Sequence, residues 1–134
     1  MPRKSGNHPT NAELDILLVL WQHGPCTVRE VHEKLTQSEK IGYTTVLKTL
    51  QIMTKKKLVR RDESRRAHVY AARRSEEQTQ KGLLGDLLRR AYRGSAGKMV
   101  MQALSAGAAS KRELEDIRAL LDGMSKEEED DGAR

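Results

Sequence analysis

At four places along its 134 residues, a Ser or Thr followed three positions later by Glu or Gln stands ahead of apolar residues at helical spacing: Thr10–Glu13, Thr27–Glu30, Ser75–Gln78 and Ser110–Glu113. In such a box the hydroxyl accepts the backbone N–H of the third residue, whose side chain reaches back to the N–H of the first. Two donors that a helix start leaves orphaned are thereby satisfied. The chain is therefore mainly α. A hydrophobic share of 37%, with 3% aromatics and no Phe, leaves too little bulk for a large sandwich or a doubly wound sheet.

The first box opens a helix expected to turn Leu14, Leu17, Leu18 and Trp21 inward before Gly24-Pro25 stops it. The second opens a shorter one with Val28, Val31 and Leu35 inward, ending near Gln37-Ser38. Past Gly42 a third helix is expected from about Tyr43 to Lys56. At about 100° per residue, Val46, Leu50 and Met53 fall on one face. Thr44, Lys48, Gln51 and Lys55 fall on the other, flanked by Thr45 and Ile52. That second face is polar, basic and free.

Residues 58–72 change period. Leu58-Val59-Arg60-Arg61 and Arg66-Ala67-His68-Val69-Tyr70 are β-rich runs around a polar turn, with Arg65 and Arg66 near its tip. Three helices and then a hairpin is the order of a winged helix-turn-helix, whose third helix enters the major groove. Arg65 and Arg66 suit phosphates or a narrow minor groove. Thr44, Thr45 and Gln51 suit base edges or phosphate, and Lys48 and Lys55 suit guanine acceptors or the backbone.

Charge follows the same division. Residues 1–75 hold 15 Lys and Arg against 7 Asp and Glu, whereas 76–134 hold 10 against 12. A basic half suits a polyanion. The other half is helical, with apolar stripes at Leu83, Leu84, Leu87, Leu88, Ala91 and Tyr92, then Met99, Val100, Ala103 and Leu104, then Leu114, Ile117, Leu120, Leu121 and Met124. So small a segment struggles to hide these stripes by itself; pairing with a second copy is the economical solution, and packing back on the basic half is the alternative. The division expected is a DNA-binding domain at 1–74, a three-helix dimerisation segment at 75–124 and a disordered acidic tail at 125–134.

Other chemistries lack their residues. Cys26 is the single cysteine, a small semi-buried hydrophobe between a Pro turn and a capping Thr. His8, His23, His32 and His68 are scattered, so no metal or cofactor is implied. Neither a nucleophile–base pair nor a phosphate-cradling loop is present, so no catalytic residue is expected. No run approaches the ~18 apolar residues of a membrane span. A cytoplasmic protein without membrane insertion is expected.

The run Ile41-Gly42-Tyr43-Thr44-Thr45-Val46-Leu47-Lys48-Thr49-Leu50, then Lys55-Lys56-Lys57-Leu58-Val59 and Arg66-Ala67-His68-Val69-Tyr70, resembles the BlaI/MecI/CopY family of bacterial repressors (penicillinase repressors). Glu13, Leu14 and Trp21 fit its first helix, and the resemblance covers about residues 8–122. It implies a homodimer whose winged helices read a palindromic operator in double-stranded DNA, with half-sites of the TACA/TGTA type. With the exposed face of the third helix and the hairpin tip, the DNA contacts expected are Thr44, Thr45, Lys48, Gln51, Lys55, Arg65 and Arg66. The dimer contacts expected from the apolar stripes are Leu84, Leu87, Leu88, Tyr92, Val100, Leu104, Ile117, Leu120 and Leu121.

One branch of that family is cut at an Asn–Phe bond when a membrane sensor with a protease domain is triggered. The matching pair here is Gln102–Ala103, in which the apolar setting is kept and the scissile pair is not. The copper-responsive branch's cysteine-rich end is absent. Ile52 stands where relatives often have Arg, and Lys57 where they have Gly in a turn. The turn must then hold a Lys, in the left-handed region at modest cost. Rival readings are a ligand-gated winged helix and a winged-helix protein–protein adaptor.

Overall fold

The structure, a computed structural model, describes residues 8–132. The opening Met-Pro-Arg-Lys and the last two residues of the expected tail lie outside them. In chain order the elements are α1 (Asn11–His23), β1 (Cys26–Thr27), α2 (Val28–Leu35), α3 (Tyr43–Lys55), β2 (Val59–Asp62), β3 (Val69–Ala72), α4 (Glu76–Ala91), α5 (Ala96–Ser105) and α6 (Lys111–Gly132). All four capping boxes form. The hydroxyls of Thr10, Thr27, Ser75 and Ser110 accept the third-residue N–H at 3.1–3.2 Å, and the return bonds are 2.8–3.0 Å.

The winged helix is the order α1-β1-α2-α3-β2-β3, with three antiparallel strands arranged β1-β3-β2. Cys26 faces Tyr70 across one ladder, and Val59, Arg60, Arg61 and Asp62 face Ala72, Ala71, Tyr70 and Val69 across the other. Strand β1 escapes the sequence reading because two residues display no period. The core gathers one side of each helix and one of the sheet: Ile16, Leu17, Leu20, Val31, Leu35, Val46, Leu50, Met53, Val59 and Tyr70 are buried. Truncating one of the largest, such as Leu50, removes about 2–5 kcal/mol.

Helix α1 corrects one expectation. It buries Glu13, Ile16, Leu17, Val19 and Leu20, while Leu14 and Trp21 are half-buried and Leu18 is 45% exposed. Apolar residues surround this helix almost completely, so the pattern alone cannot choose its inner face. An ion pair of Glu13, described below, accompanies the choice. Trp21 is tied down through its rim, its indole N–H donating to the Arg74 carbonyl at 2.9 Å.

The C-terminus of α3 closes with a reversed turn. Lys57 has φ 65, the Leu58 N–H bonds the Met53 carbonyl at 2.9 Å and the Lys57 N–H bonds the Thr54 carbonyl at 3.1 Å. This is the Schellman arrangement, with Lys holding the left-handed position that Gly usually fills. The turn sends the chain directly into β2.

The described residues part into two compact units after Gly85, inside α4. In the second unit the chain leaves α4 through Arg93 and Gly94, both with positive φ, and enters α5, whose Ser95 hydroxyl caps the Lys98 N–H. Helix α6 runs on to Gly132, so the stretch expected as a disordered tail from 125 is helical as far as that residue. Ser125 to Glu129 contains no Pro or Gly, and Lys and Glu are good helix formers, so propagation from the preceding turns continues. Neither α4 nor α5 buries a single residue.

Candidate nucleic-acid interface

Helix α3 divides by solvent exposure along the line its sequence draws. Val46, Leu50 and Met53 are fully buried, which fixes the rotation of the helix about its axis. Thr44, Lys48, Gln51 and Lys55, which share one side within about 60°, are all exposed. Thr45 is exposed at the edge beside Ile52, which is 52% exposed, and Tyr43 is 48% exposed at the first turn. The Thr49 hydroxyl turns back on the Thr45 carbonyl at 2.7 Å and is spent within the helix.

The helix is also held at its start. In α2 the His32 Nε2 lies 2.9 Å from the Ile41 carbonyl, and the His32 ring meets the Tyr43 ring edge-on at 5.7 Å. Both contacts bear on the turn between α2 and α3. They give His32, which looked like an isolated histidine in the sequence, a place in orienting α3. Its spacing of nine residues from Ile41 offers no local signal of this.

The hairpin is stiffened by its own side chains. Across the β2–β3 ladder, the buried Tyr70 hydroxyl and the Glu63 carboxylate both engage the Arg61 guanidinium, raising its pKa above the ordinary arginine value. The Arg61 Nε donates to Glu63 at 2.8 Å. At the tip the Asp62 carboxylate accepts the Ser64 N–H at 2.9 Å, and this bond holds its pKa below the usual carboxylate value. Arg65 and Arg66 follow on the exposed bend. A short Asx turn thus presents two cations from a fixed base.

The cations of α3 and the wing differ in whether an acid already engages them. Lys56 and Arg61 are engaged internally, by Glu13 and Glu63. Among the described residues, Lys48, Lys55, Arg65 and Arg66 make no ion pair within the chain and have their charge available to a partner. Of the Lys55-Lys56-Lys57 run, the middle member is occupied by Glu13. Glu13, read from the sequence as a cap, is buried as well, on a helix whose apolar residues fall on nearly every side. Among the described residues no three His, Cys, Asp or Glu side chains converge as metal ligands. Burial and the nearby Glu30 push the Cys26 thiol pKa up, and its Sγ lies 3.3 Å from the Gly24 carbonyl.

The predicted dimer residues lie in a different environment. Leu84, Leu87, Val100, Leu120 and Leu121 are each between 43% and 59% exposed. Leu88, Tyr92, Leu104 and Ile117 are half-buried. Gln102 and Ala103 are exposed within α5.

Comparison with known proteins then decides the lineage. The family model described as penicillinase repressor matches residues 9–123. The chain belongs to this family. A transcriptional regulator BlaI from Mycobacterium tuberculosis is 41% identical over 73 residues, which cover 54% of this chain and 53% of that protein. The chain thus spans about half the length of the mycobacterial relatives it matches. The penicillinase repressor of Staphylococcus aureus is 19% identical over 86% of this chain and 91% of its own. A solution structure of the DNA-binding domain of the repressor BlaI is 24% identical, with TM-score 0.48, over 55% of this chain and 90% of that one. Within the family member described here, no helix among the described residues is long and apolar enough to cross a membrane.

Proposed function

We propose that the chain is a homodimeric, non-enzymatic transcriptional repressor that acts in the cytoplasm, inserting α3 into the major groove of a palindromic operator. The observation that carries this reading is the outer face of α3. Thr44, Lys48, Gln51 and Lys55 stand exposed on a helix whose opposite side is locked into the core. Direct base readout requires such a helix, rigid from behind and rich in donors and acceptors in front. Arg65 and Arg66 at the wing tip supply backbone or minor-groove contacts beside it. Family membership supports the same assignment.

Dimerisation is the second part of the proposal. Leu84, Leu87, Val100, Leu120 and Leu121 expose apolar surface on helices that bury little or nothing within one chain. Covering them with a second copy would place two α3 helices on successive turns of the duplex, about 34–36 Å or a multiple apart. Release completes the cycle. The Gln102–Ala103 bond lies within α5, so a sensor-linked protease acting there must first unwind the helix, and its cut would divide the dimer segment. The 134-residue chain remaining whole after incubation with an induced sensor would remove that step alone.

Fluorescence anisotropy against the gene's own upstream promoter fragment and a scrambled duplex, at two salt concentrations, tests the main proposal. Preference for the promoter by about 10³ or more is expected. Each phosphate neutralised should add about 0.9 to the log–log salt slope. Equal, weak binding to both duplexes would overturn the reading in favour of a protein-binding adaptor.

A further inference from the structure

Glu13 is the one buried charged residue among the described residues, 3% exposed on α1. Its Oε1 accepts twice, from the Thr10 N–H at 2.9 Å and from the Lys56 Nζ at 2.7 Å. The first bond belongs to the capping box, for which a neutral Gln serves as well as Glu. A carboxylate taken out of water needs more than this. It is retained at such a place only when a cation answers it, because the desolvation cost is otherwise several kcal/mol per ion. The answering cation comes from 43 residues away.

Lys56 occupies a particular position. It is the C-cap of α3, followed by Lys57 in the left-handed turn and by Leu58, whose N–H closes back onto Met53. Lys56 is thus the last point of α3 before the wing begins. The Lys56 side chain is 26% exposed and directed at α1 rather than at solvent. A cation at a helix C-terminus also meets the negative end of the helix dipole, which favours the same placement. His32 constrains the start of α3 through Ile41 and Tyr43, while the Glu13–Lys56 pair constrains its end.

We infer that Glu13 and Lys56 are positioning residues that pin the C-terminal end of α3, and with it the root of the wing, to the N-terminal cap of α1. Lys56 then makes no phosphate contact, and the pair sets the relative aim of α3 and the wing. The part concerning DNA rests on the function proposed above; the pinning itself does not. Loss of the pair loosens the α3–wing junction while the core beneath Val46 and Leu50 remains formed.

Two measurements on the full chain test this. The first needs no DNA: amide hydrogen exchange in Glu13→Gln, which keeps the cap and removes the charge. The Leu58 amide is expected to exchange about tenfold faster while the Val31 amide changes little, the signature of local opening. Equal acceleration of both amides, or of neither, would overturn the pinning.

The second measurement uses the promoter and scrambled duplexes, after wild type has been shown to discriminate between them. Glu13→Gln is expected to lower promoter affinity about tenfold and scrambled affinity little, shrinking the preference. Lys56→Met is expected to leave the salt slope unchanged, whereas Lys48→Ala or Lys55→Ala lowers it if that lysine neutralises a phosphate. A slope lowered by about 0.9 in Lys56→Met would make that lysine a phosphate contact and refute its assignment. Failure of wild type to discriminate would refute the DNA reading, and the exchange result would still decide the pinning.

Discussion

Replacing Lys57 by Gly should make this protein more stable, and the size of the gain follows from the turn that ends α3. Lys57 sits at φ 65, where its Cβ crowds the following carbonyl at a cost of roughly 1–2 kcal/mol. Glycine removes that cost but widens the unfolded ensemble, returning about 0.4–1 kcal/mol of it. Taken at the middle of each range, the net gain is about 0.8 kcal/mol. The exposed Lys57 side chain forms no ion pair among the described residues, so its loss subtracts little. For a unit of this size, that gain raises Tm by about 3–6 °C. The assay is thermal unfolding at fixed protomer concentration, since association would shift Tm by mass action. Lys57→Ala is the control. It removes the same charge and keeps Cβ, so no comparable rise is expected from it. Equal Tm values for the Gly and Ala variants would refute the strain argument. A fall in both would show that the lysine side chain contributes something the ion-pair pattern does not reveal.

Other expectations rest on single contacts. Burial raises the Cys26 thiol pKa. The stability this contributes is therefore complete below the ordinary thiol value and is lost as pH rises through the raised folded value; alkylation at neutral pH should track global unfolding, and rapid labelling of folded protein would contradict this. Asp62 is shifted the other way, so its contribution to the wing turn is present above the ordinary carboxylate value and fades as pH falls through the lower folded one. The Ser64 amide signal, followed by NMR through acid, should report that loss ahead of core amides such as Val31. Leu121→Lys should shift the sedimentation of a dimer toward monomer and weaken promoter binding, with the winged-helix spectrum intact. Unchanged sedimentation would remove Leu121 from the interface.

What was legible in the sequence shares a physical property, namely that it is local. A capping box closes over three residues, so Thr10, Thr27, Ser75 and Ser110 announce their helices without reference to the fold. The two faces of α3 are legible because Val46, Leu50 and Met53 are apolar where their neighbours Lys48, Gln51 and Lys55 are not. Helix α1 fails the same reading because Ile16, Leu17, Leu18, Val19 and Leu20 are apolar in succession. There the periodicity carries no information, and burial is decided by contacts with other elements. Strand β1 exists only because Cys26 and Thr27 meet Tyr70 and Val69 far along the chain.

The candidate site divides by the same criterion, which explains why its reach was legible and its aim was not. Thr44, Lys48, Gln51, Arg65 and Arg66 reveal themselves by being polar where polarity serves no fold. The groups that hold them in place are read wrongly from residue type, because each does something unusual for its kind. Glu13 is a carboxylate facing inward, Lys56 is a lysine facing a helix instead of water, Arg61 spends its charge on Tyr70 and Glu63, and His32 engages a turn. Burying the Glu13 carboxylate is expensive unless a cation answers it, which Lys56 does. These placements concentrate at the start of α3, at its end and at the base of the wing. Under the proposed function these three places would set where the exposed face points, and a helix that reads DNA needs such fixing before it meets a duplex.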